Sequence, residues 1–128
     1  MHRYNWDSNF DTGIEEIDIQ HRRFVSLINL VDQRDSVDPV LAEFLRHMVY
    51  HFRCEQALMD AYEEDYAAME EAEHAAEDIL SRRAIDAFRD GHISKGELCD
   101  QLYAFVLSHA RDRNQEVMGA IIARRNAV

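Results

Sequence analysis

Six side chains in this sequence have types and spacings that could do chemistry: His21, His51, Glu55, Glu70, His74 and His109. His51 and Glu55 stand four positions apart, and so do Glu70 and His74, so on a helix each pair shares one face, one turn apart. The stripes that carry them are otherwise largely apolar. His51 and Glu55 continue Leu41, Phe44 and Met48 and are followed by Leu58 and Tyr62. His21 sits between Ile17 and Phe24, and His109 follows Leu98, Leu102 and Phe105 with Val106. A single core histidine is more often a hydrogen-bonded structural residue than a ligand. Four imidazoles and two carboxylates converging from several helices are a heavy polar load for a small core, and a metal would relieve it. Imidazole with carboxylate suits iron, manganese or zinc, and a set without thiolate and with open positions leans towards iron. Facing helices of a bundle are a common place for two-metal carboxylate sites.

Two neighbours read differently. His47, four positions before His51, is either a spare ligand or neighbour of the site, or a helix residue that is partly buried or exposed. Cys54 adjoins Glu55 but points about 100° away on a helix, so packing is expected there.

The elements that must position these groups follow from periodicity. Residues 1–12 read as an extended arm whose Trp6 and Phe10 pack on the body. The spacing of Ile14, Ile17, His21, Phe24, Ile28 and Val31 predicts a first helix from about Thr12 or Gly13 to the low 30s. Asp38-Pro39 opens a second helix, with Asp38 as N-cap and Pro39 in the first turn, ending near Tyr62 to Asp65. A third runs from about Tyr66 to Asp90 and stops at Gly91; Glu70, His74, Ser81, Ile85 and Phe88 form its inner stripe. Ser94 and Glu97 form a capping box for a fourth helix, which fades in the Arg124-Arg125-Asn126 tail. Long helices joined by short loops give an all-α, up-down-up-down antiparallel four-helix bundle with an extended N-terminal arm, read as one domain over residues 1–128.

Composition narrows the classes. One proline and four glycines favour long helices over a turn-rich sheet. A net charge of -11 repels phosphate backbones and anionic lipid, so nucleic-acid and membrane partners are set aside. No apolar run approaches the ~18–20 residues of a membrane span, and the first residues carry no secretory h-region. Cys54 and Cys99 fall inside helices and not in a disulfide framework, which fits a reduced, cytosolic setting.

The motifs resemble those of the bacterial hemerythrins over nearly the whole chain. Trp6 with Gly13-Ile14-Glu15-Glu16-Ile17-Asp18-Ile19-Gln20-His21 is similar to the family's opening signature, and His51-Phe52-Arg53-Cys54-Glu55 with Leu58-Met59 to its second motif. His74 and His109 fall at histidines of the third and last helices. The resemblance implies two iron ions, bridged by oxo or hydroxo and by carboxylate, that bind O2 without haem. It implies His21 and His51 on the iron with the open position, His74 and His109 on the other, Glu55 as bridge, and Phe52, Val106 and Ala110 lining the O2 pocket.

Two positions depart from the family. Glu70 stands where it has a histidine, and Asn114 where it has the second bridging aspartate. Either the site is degenerate, or a carboxylate has moved from the fourth helix to the third, with Glu70 chelating or bridging and Asp112 as a further substitute. An anionic ligand in place of an imidazole would favour the ferric state. Four functions follow: O2 storage or delivery; sensing of O2, NO or redox state with an attached or separate signalling output module; reduction of peroxide or NO by the di-iron site; or a bundle with zinc or no metal. Sensing is favoured over catalysis, since no acid or tyrosine is clearly placed for an enzyme.

Overall fold

In the computed structural model, which describes residues 3–111 and 113–127 apart from the side chains of Glu64 and Arg113, the chain forms an all-α bundle. The helices are α1 (Glu15–Gln33), α2 (Asp38–Tyr62), α3 (Glu64–Arg89), α4 (Lys95–Arg111) and α5 (Arg113–Asn126). The last helix of the expected four is thus described in two stretches. Asp112, a candidate ligand from the sequence, lies outside the described residues. α1 packs on α2 and α4, α2 on α3, and α3 on α4, closing a ring, while α5 packs on α4 and α2. The short connections make α1, α2, α3 and α4 successively antiparallel. No helix among the described residues is long and apolar enough to cross a membrane.

The core divides into two clusters. Phe24, Leu27, Ile28, Leu41, Phe44, Met48, Ile85, Leu98, Leu102 and Val106 fill one end. Ile14, Ile17, Met59, Val117, Met118 and Ile121 fill the other. On α1, His21 falls between Ile17 of one cluster and Phe24 of the other; on α2, His51 and Glu55 fall between Met48 and Met59. The interruptions seen in the apolar stripes therefore lie in register, as a polar layer between two apolar ones. Leu58, Tyr62 and Phe88, expected on the inner stripes, are only half-buried.

Several boundaries differ from the sequence reading, each for a local reason. α1 begins at Glu15, later than Thr12 or Gly13, because the preceding backbone is committed elsewhere. Asp18 Oδ1 accepts from Thr12 N (2.7 Å) and Thr12 Oγ1 (2.8 Å), and Asp18 Oδ2 accepts from Gly13 N (3.1 Å). That wrap needs Gly13 at φ 91°, where a Cβ would also meet Ile122 Cδ1 at 2.9 Å. Asp38 is not the N-cap of α2: Val37 occupies that position without a side-chain bond, and its carbonyl accepts from Leu41 N at 2.9 Å. Asp38 instead lies in the first turn, where its charge suits the helix dipole, 3.4 Å from Arg89 Nε. α3 starts at Glu64, two positions before Tyr66. It ends at Arg89 with Asp90 as C-cap and Gly91 at φ 80°, the stop expected there. The capping box is present: Glu97 N donates to Ser94 Oγ at 3.1 Å and Ser94 N to Glu97 Oε1 at 3.4 Å. At the far end the helix ends at Asn126, inside the expected tail, and Arg125 pairs with Glu16 at 3.1 Å.

The arm is tied down by polar groups as well as by its aromatics. Tyr4 N donates to Asn29 Oδ1 (3.0 Å), and Asn29 Nδ2 donates back to Tyr4 O (2.8 Å). A single 3-10 turn at Ser8–Phe10 interrupts the otherwise extended course. Trp6 Nε1 donates to Asp11 Oδ1 at 2.8 Å, and its ring lies 5.7 Å from that of His21. The arm thereby closes one side of the polar layer.

Asp18 holds three donors with one buried carboxylate, so Asp18→Ala should lower unfolding free energy by about 2–4 kcal/mol. Urea denaturation would measure it, and a change within about 0.5 kcal/mol of zero, as for an ordinary surface site, would show the wrap to be dispensable.

Candidate metal centre

The inner faces of α1, α2 and α4 bring four ligand atoms together. One atom each of His21, His51, Glu55 and His109 lies within 4.8 Å of all the others. His51 Nε2 is at the middle, 3.1 Å from His21 Nε2, 3.2 Å from His109 Nε2 and 2.5 Å from Glu55 Oε1. His109 Nε2 is 2.8 Å from the same Glu55 oxygen. His21, His51 and Glu55 are fully buried, and His109 nearly so.

With neutral imidazoles, hydrogen bonding alone cannot satisfy this arrangement. A ring nitrogen carries one hydrogen at most. His51 Nδ1 lies 2.7 Å from Gln20 Oε1, an acceptor, so its proton sits there. In a neutral ring, His51 Nε2 then presents a bare lone pair to a carboxylate oxygen and to two further ring nitrogens. Converging lone pairs repel unless a proton or a cation lies among them, and each unmatched buried acceptor costs about 1–3 kcal/mol. The donor chemistry thus fits a metal held by three imidazoles and a carboxylate.

A second set adjoins the first. His74 Nε2 is 3.8 Å from Glu55 Oε1 and 3.8 Å from Glu70 Oε2, and has no hydrogen-bond partner among the described residues. Glu55 Oε1 therefore faces both sets. The residues present fit two metals sharing Glu55, with Glu70 available to the one beside His74. His109 belongs to both neighbourhoods, because His74, Glu77 and His109 also bring ligand atoms within 4.8 Å of one another.

The other expected residues are placed as follows. Asn114 is buried, and its Nδ2 donates to Glu55 Oε2, so the amide grips the shared carboxylate from the side. His47 is half-buried, and its Nε2 bonds Gln20 O at 2.8 Å, outside the cluster. Phe52 stacks on His74 with centroids 4.2 Å apart and planes 7° from parallel. Val106 and Ala110 are fully buried on α4. Cys54 packs against the second apolar cluster, as expected.

Two functional residues escaped the sequence reading. Gln20 orients His51, and it stands on the inner spacing Ile17–Gln20–Phe24–Leu27–Val31, where a polar side chain was a readable signal. Glu77 lies 3.4 Å (Oε1) and 3.2 Å (Oε2) from His109 Nδ1. It continues the stripe Glu70–His74–Glu77–Ser81–Ile85, so the same rule that found Glu70 could have found it.

Electrostatics separates the histidines. Burial holds His21 well below its ordinary value, with His51 and His109 adding to the effect. Burial brings His74 down to about 4, although Glu55 opposes it. Burial also pulls on His109, yet the carboxylates of Glu55 and Glu77 overcome it and hold that imidazole well above its ordinary value. Glu55 is the counterpart: burial would raise it, but His109 and His51 hold it well below the usual carboxylate range.

The comparisons with known proteins agree with this chemistry. A profile of the hemerythrin HHE cation binding domain matches residues 12–121. A hemerythrin-like protein of Naegleria gruberi is 40% identical over 55 residues, 43% of this chain and 46% of that protein. A bacteriohemerythrin of Stenotrophomonas maltophilia is 25% identical over 130 residues, covering 94% of this chain and 83% of the relative. One of Pseudomonas paraeruginosa is 25% identical over 125 residues, covering 91% and 80%. The match thus spans about half the length of the amoebal relative and most of the length of the bacterial ones. No solved structure matches the chain.

Without metal, His109 keeps its proton at neutral pH, whereas His74 is neutral above about pH 5. A metal taking the His109 nitrogen must displace that proton. Calorimetric titration with Zn2+ at pH 7, in buffers of different ionisation enthalpy, should show about one proton released per chain by His109, falling towards zero as pH rises through its raised value. A count near zero at pH 7 would mean that His109 is already neutral in the metal-free bundle.

Proposed function

Because the chain belongs to the hemerythrin family, whose domains bind O2 at a di-iron centre, we propose that it is a sensing domain in which O2, NO or redox state changes the state of the two irons. Iron supplies reversible electron transfer and O2 affinity when bound; the chain's own residues set how long each state lasts. His21 and His51 hold one iron, His74 and His109 the other, and Glu55 is shared. Phe52, Val106 and Ala110 form the apolar wall beside them. The reading extends to one domain over residues 1–128 and to a cytosolic setting, which the free thiols of Cys54 and Cys99 suit.

One observation carries the choice of sensing over storage: the Glu70 carboxylate lies 3.8 Å from His74 Nε2, buried, where the family resemblance has a neutral imidazole. An anion beside one iron stabilises its higher charge state, because little water is present to screen the interaction. A store needs the opposite bias, since its ferrous form must survive repeated exposure to O2. Asn114 affects where the negative charge sits: its neutral amide donates to Glu55, so among the described residues the carboxylates at the centre lie on α2 and α3. A change of charge at Glu70 and Glu55 is then felt between α2 and α3. That relation suits a signal passed through helix packing to an output module, attached or separate.

A second reading, reduction of peroxide or NO, has one observation in its favour. Glu77 is a carboxylate 3.2 Å from His109 Nδ1 and 23% exposed, so it can carry protons between the centre and solvent.

Iron content and the visible spectrum of reduced protein, before and after exposure to air, test the proposal together. The expected result is two irons per chain and a charge-transfer band that appears with O2 and decays within about minutes at 25 °C, a barrier of roughly 20 kcal/mol. Glu70→His should lengthen that lifetime by about tenfold or more, the equivalent of about 1.4 kcal/mol. A wild-type band stable for many hours would make the protein a carrier. One iron or none would mean that Glu70 and Asn114 mark a broken centre, and rapid turnover with peroxide or NO would favour the enzyme.

A further inference from the structure

Three clefts reach the metal-binding histidines, and they differ in character. One, of about 490 Å³, touches His109 through Leu80, Leu102 and Phe105. Another, of about 230 Å³, touches His74 beside Val49, Phe52 and Ala75. Both offer mainly apolar walls, which suit an uncharged gas. The third, of about 430 Å³, runs between α3 and the α4–α5 region and is lined by Glu70, Glu73, Glu77, Glu116, His109 and Asn114.

The carboxylates of this third cleft are graded in depth. Glu116 is exposed, Glu73 is half-buried, the Glu77 side chain is 23% exposed, and Glu70 is 3% exposed. At the inner end lies Asn114, 97% buried by the same measure (3% exposed), with an Oδ1 that accepts from nothing among the described residues. A buried carbonyl-type oxygen without a donor is a ligand for a hard cation. Beside it, His74, Glu77 and His109 bring ligand atoms within 4.8 Å of one another. The acidic walls thus end at oxygen and nitrogen donors that belong to the centre itself.

We propose that this cleft is the route by which ferrous ion enters the centre. Glu116 and Glu73 draw Fe2+ from solvent, Glu77 and Asn114 Oδ1 hold it in transit, and His74 and His109 receive it. The proposal rests on the di-iron reading above. Its physical basis is focusing: a cleft with an excess of carboxylates and low-dielectric walls raises the local concentration of a cation and its rate of entry, by about 10–1,000-fold where the excess is large. The ion stays Fe2+ throughout, so no electron is exchanged. The step exchanges bound water for carboxylate oxygen and then for imidazole.

The test is stopped-flow uptake of Fe2+ by the metal-free full chain without O2, comparing Glu73→Gln/Glu116→Gln with Glu15→Gln/Glu43→Gln, which removes two charges elsewhere on the surface. The first pair should slow uptake about tenfold, at unchanged final iron content and visible spectrum, and flatten its dependence on ionic strength. The control pair should change uptake by less than about twofold. Transfer of iron from the reduced holoprotein to the neutral chelator 2,2′-bipyridine makes the same comparison without a metal-free state, and it too should slow in the cleft variant. Equal rates in the two variants would overturn the route. A cleft variant that loads fewer irons would also overturn it, because Glu73 and Glu116 would then be ligands and not a path. A wild type that takes up fewer than two irons would instead remove the di-iron reading, and the route with it.

Discussion

The constraint on which everything else depends is the burial of four imidazoles and their carboxylates in the middle of the bundle. His21, His51 and Glu55 have no solvent exposure at all, and Glu70, His74, His109 and Asn114 have little. Polar groups at that depth are tolerated only when their lone pairs and protons are matched. The bundle arranges this by confining them to one layer, with an apolar cluster above and another below. The clusters fix helix register, and register sets the separations at which donors from α1, α2, α3 and α4 meet. A slip of one helical turn on α1 would put Ile17 or Phe24 where His21 stands and leave the rest unmatched.

Outside the layer, further hydrogen bonds hold the donors in place. One residue, Gln20, fixes two histidines: its side chain accepts from His51 and its carbonyl meets His47. The Asp18 wrap over Thr12 and Gly13 sets where α1 begins, and therefore where His21 and Gln20 lie along it. Asn29 clamps Tyr4 to α1 and brings the arm across the bundle, where Trp6 covers His21. Metal ligands are held within useful limits by partners of this kind as much as by their own helices.

The two neighbourhoods of the centre are not equivalent. Around His21 and His51 the outer partners are an amide and apolar rings, and burial holds His21 well below its ordinary value. Around His74 and His109 the surroundings are acidic, with Glu70, Glu77 and the shared Glu55. The shift of His109 upward and of Glu55 downward is one statement of that asymmetry, made before any metal enters. The proposed redox bias and the proposed cation route would share one cause, the concentration of Glu70, Glu73 and Glu77 on α3.

The helical stripes by themselves determined the all-α bundle, and with it the layer made of His21, His51, Glu55, Glu70, His74 and His109. That much is legible because a helix converts spacing into direction: residues three and four apart must share a face, and polar residues on an apolar face must meet something. The same spacing also held Gln20 and Glu77, whose polar types on inner positions carried an available signal. Only the tertiary structure decided the rest. Spacing along one helix says nothing of distance between helices. Glu77 therefore meets His109, Asn114 grips Glu55 from the last helix, and His47 turns away to a backbone carbonyl through packing that no single stripe encodes. The start of α1 was likewise a matter of competing hydrogen bonds, because Thr12 and Gly13 could serve either as helix or as donors to Asp18, and the buried carboxylate took them.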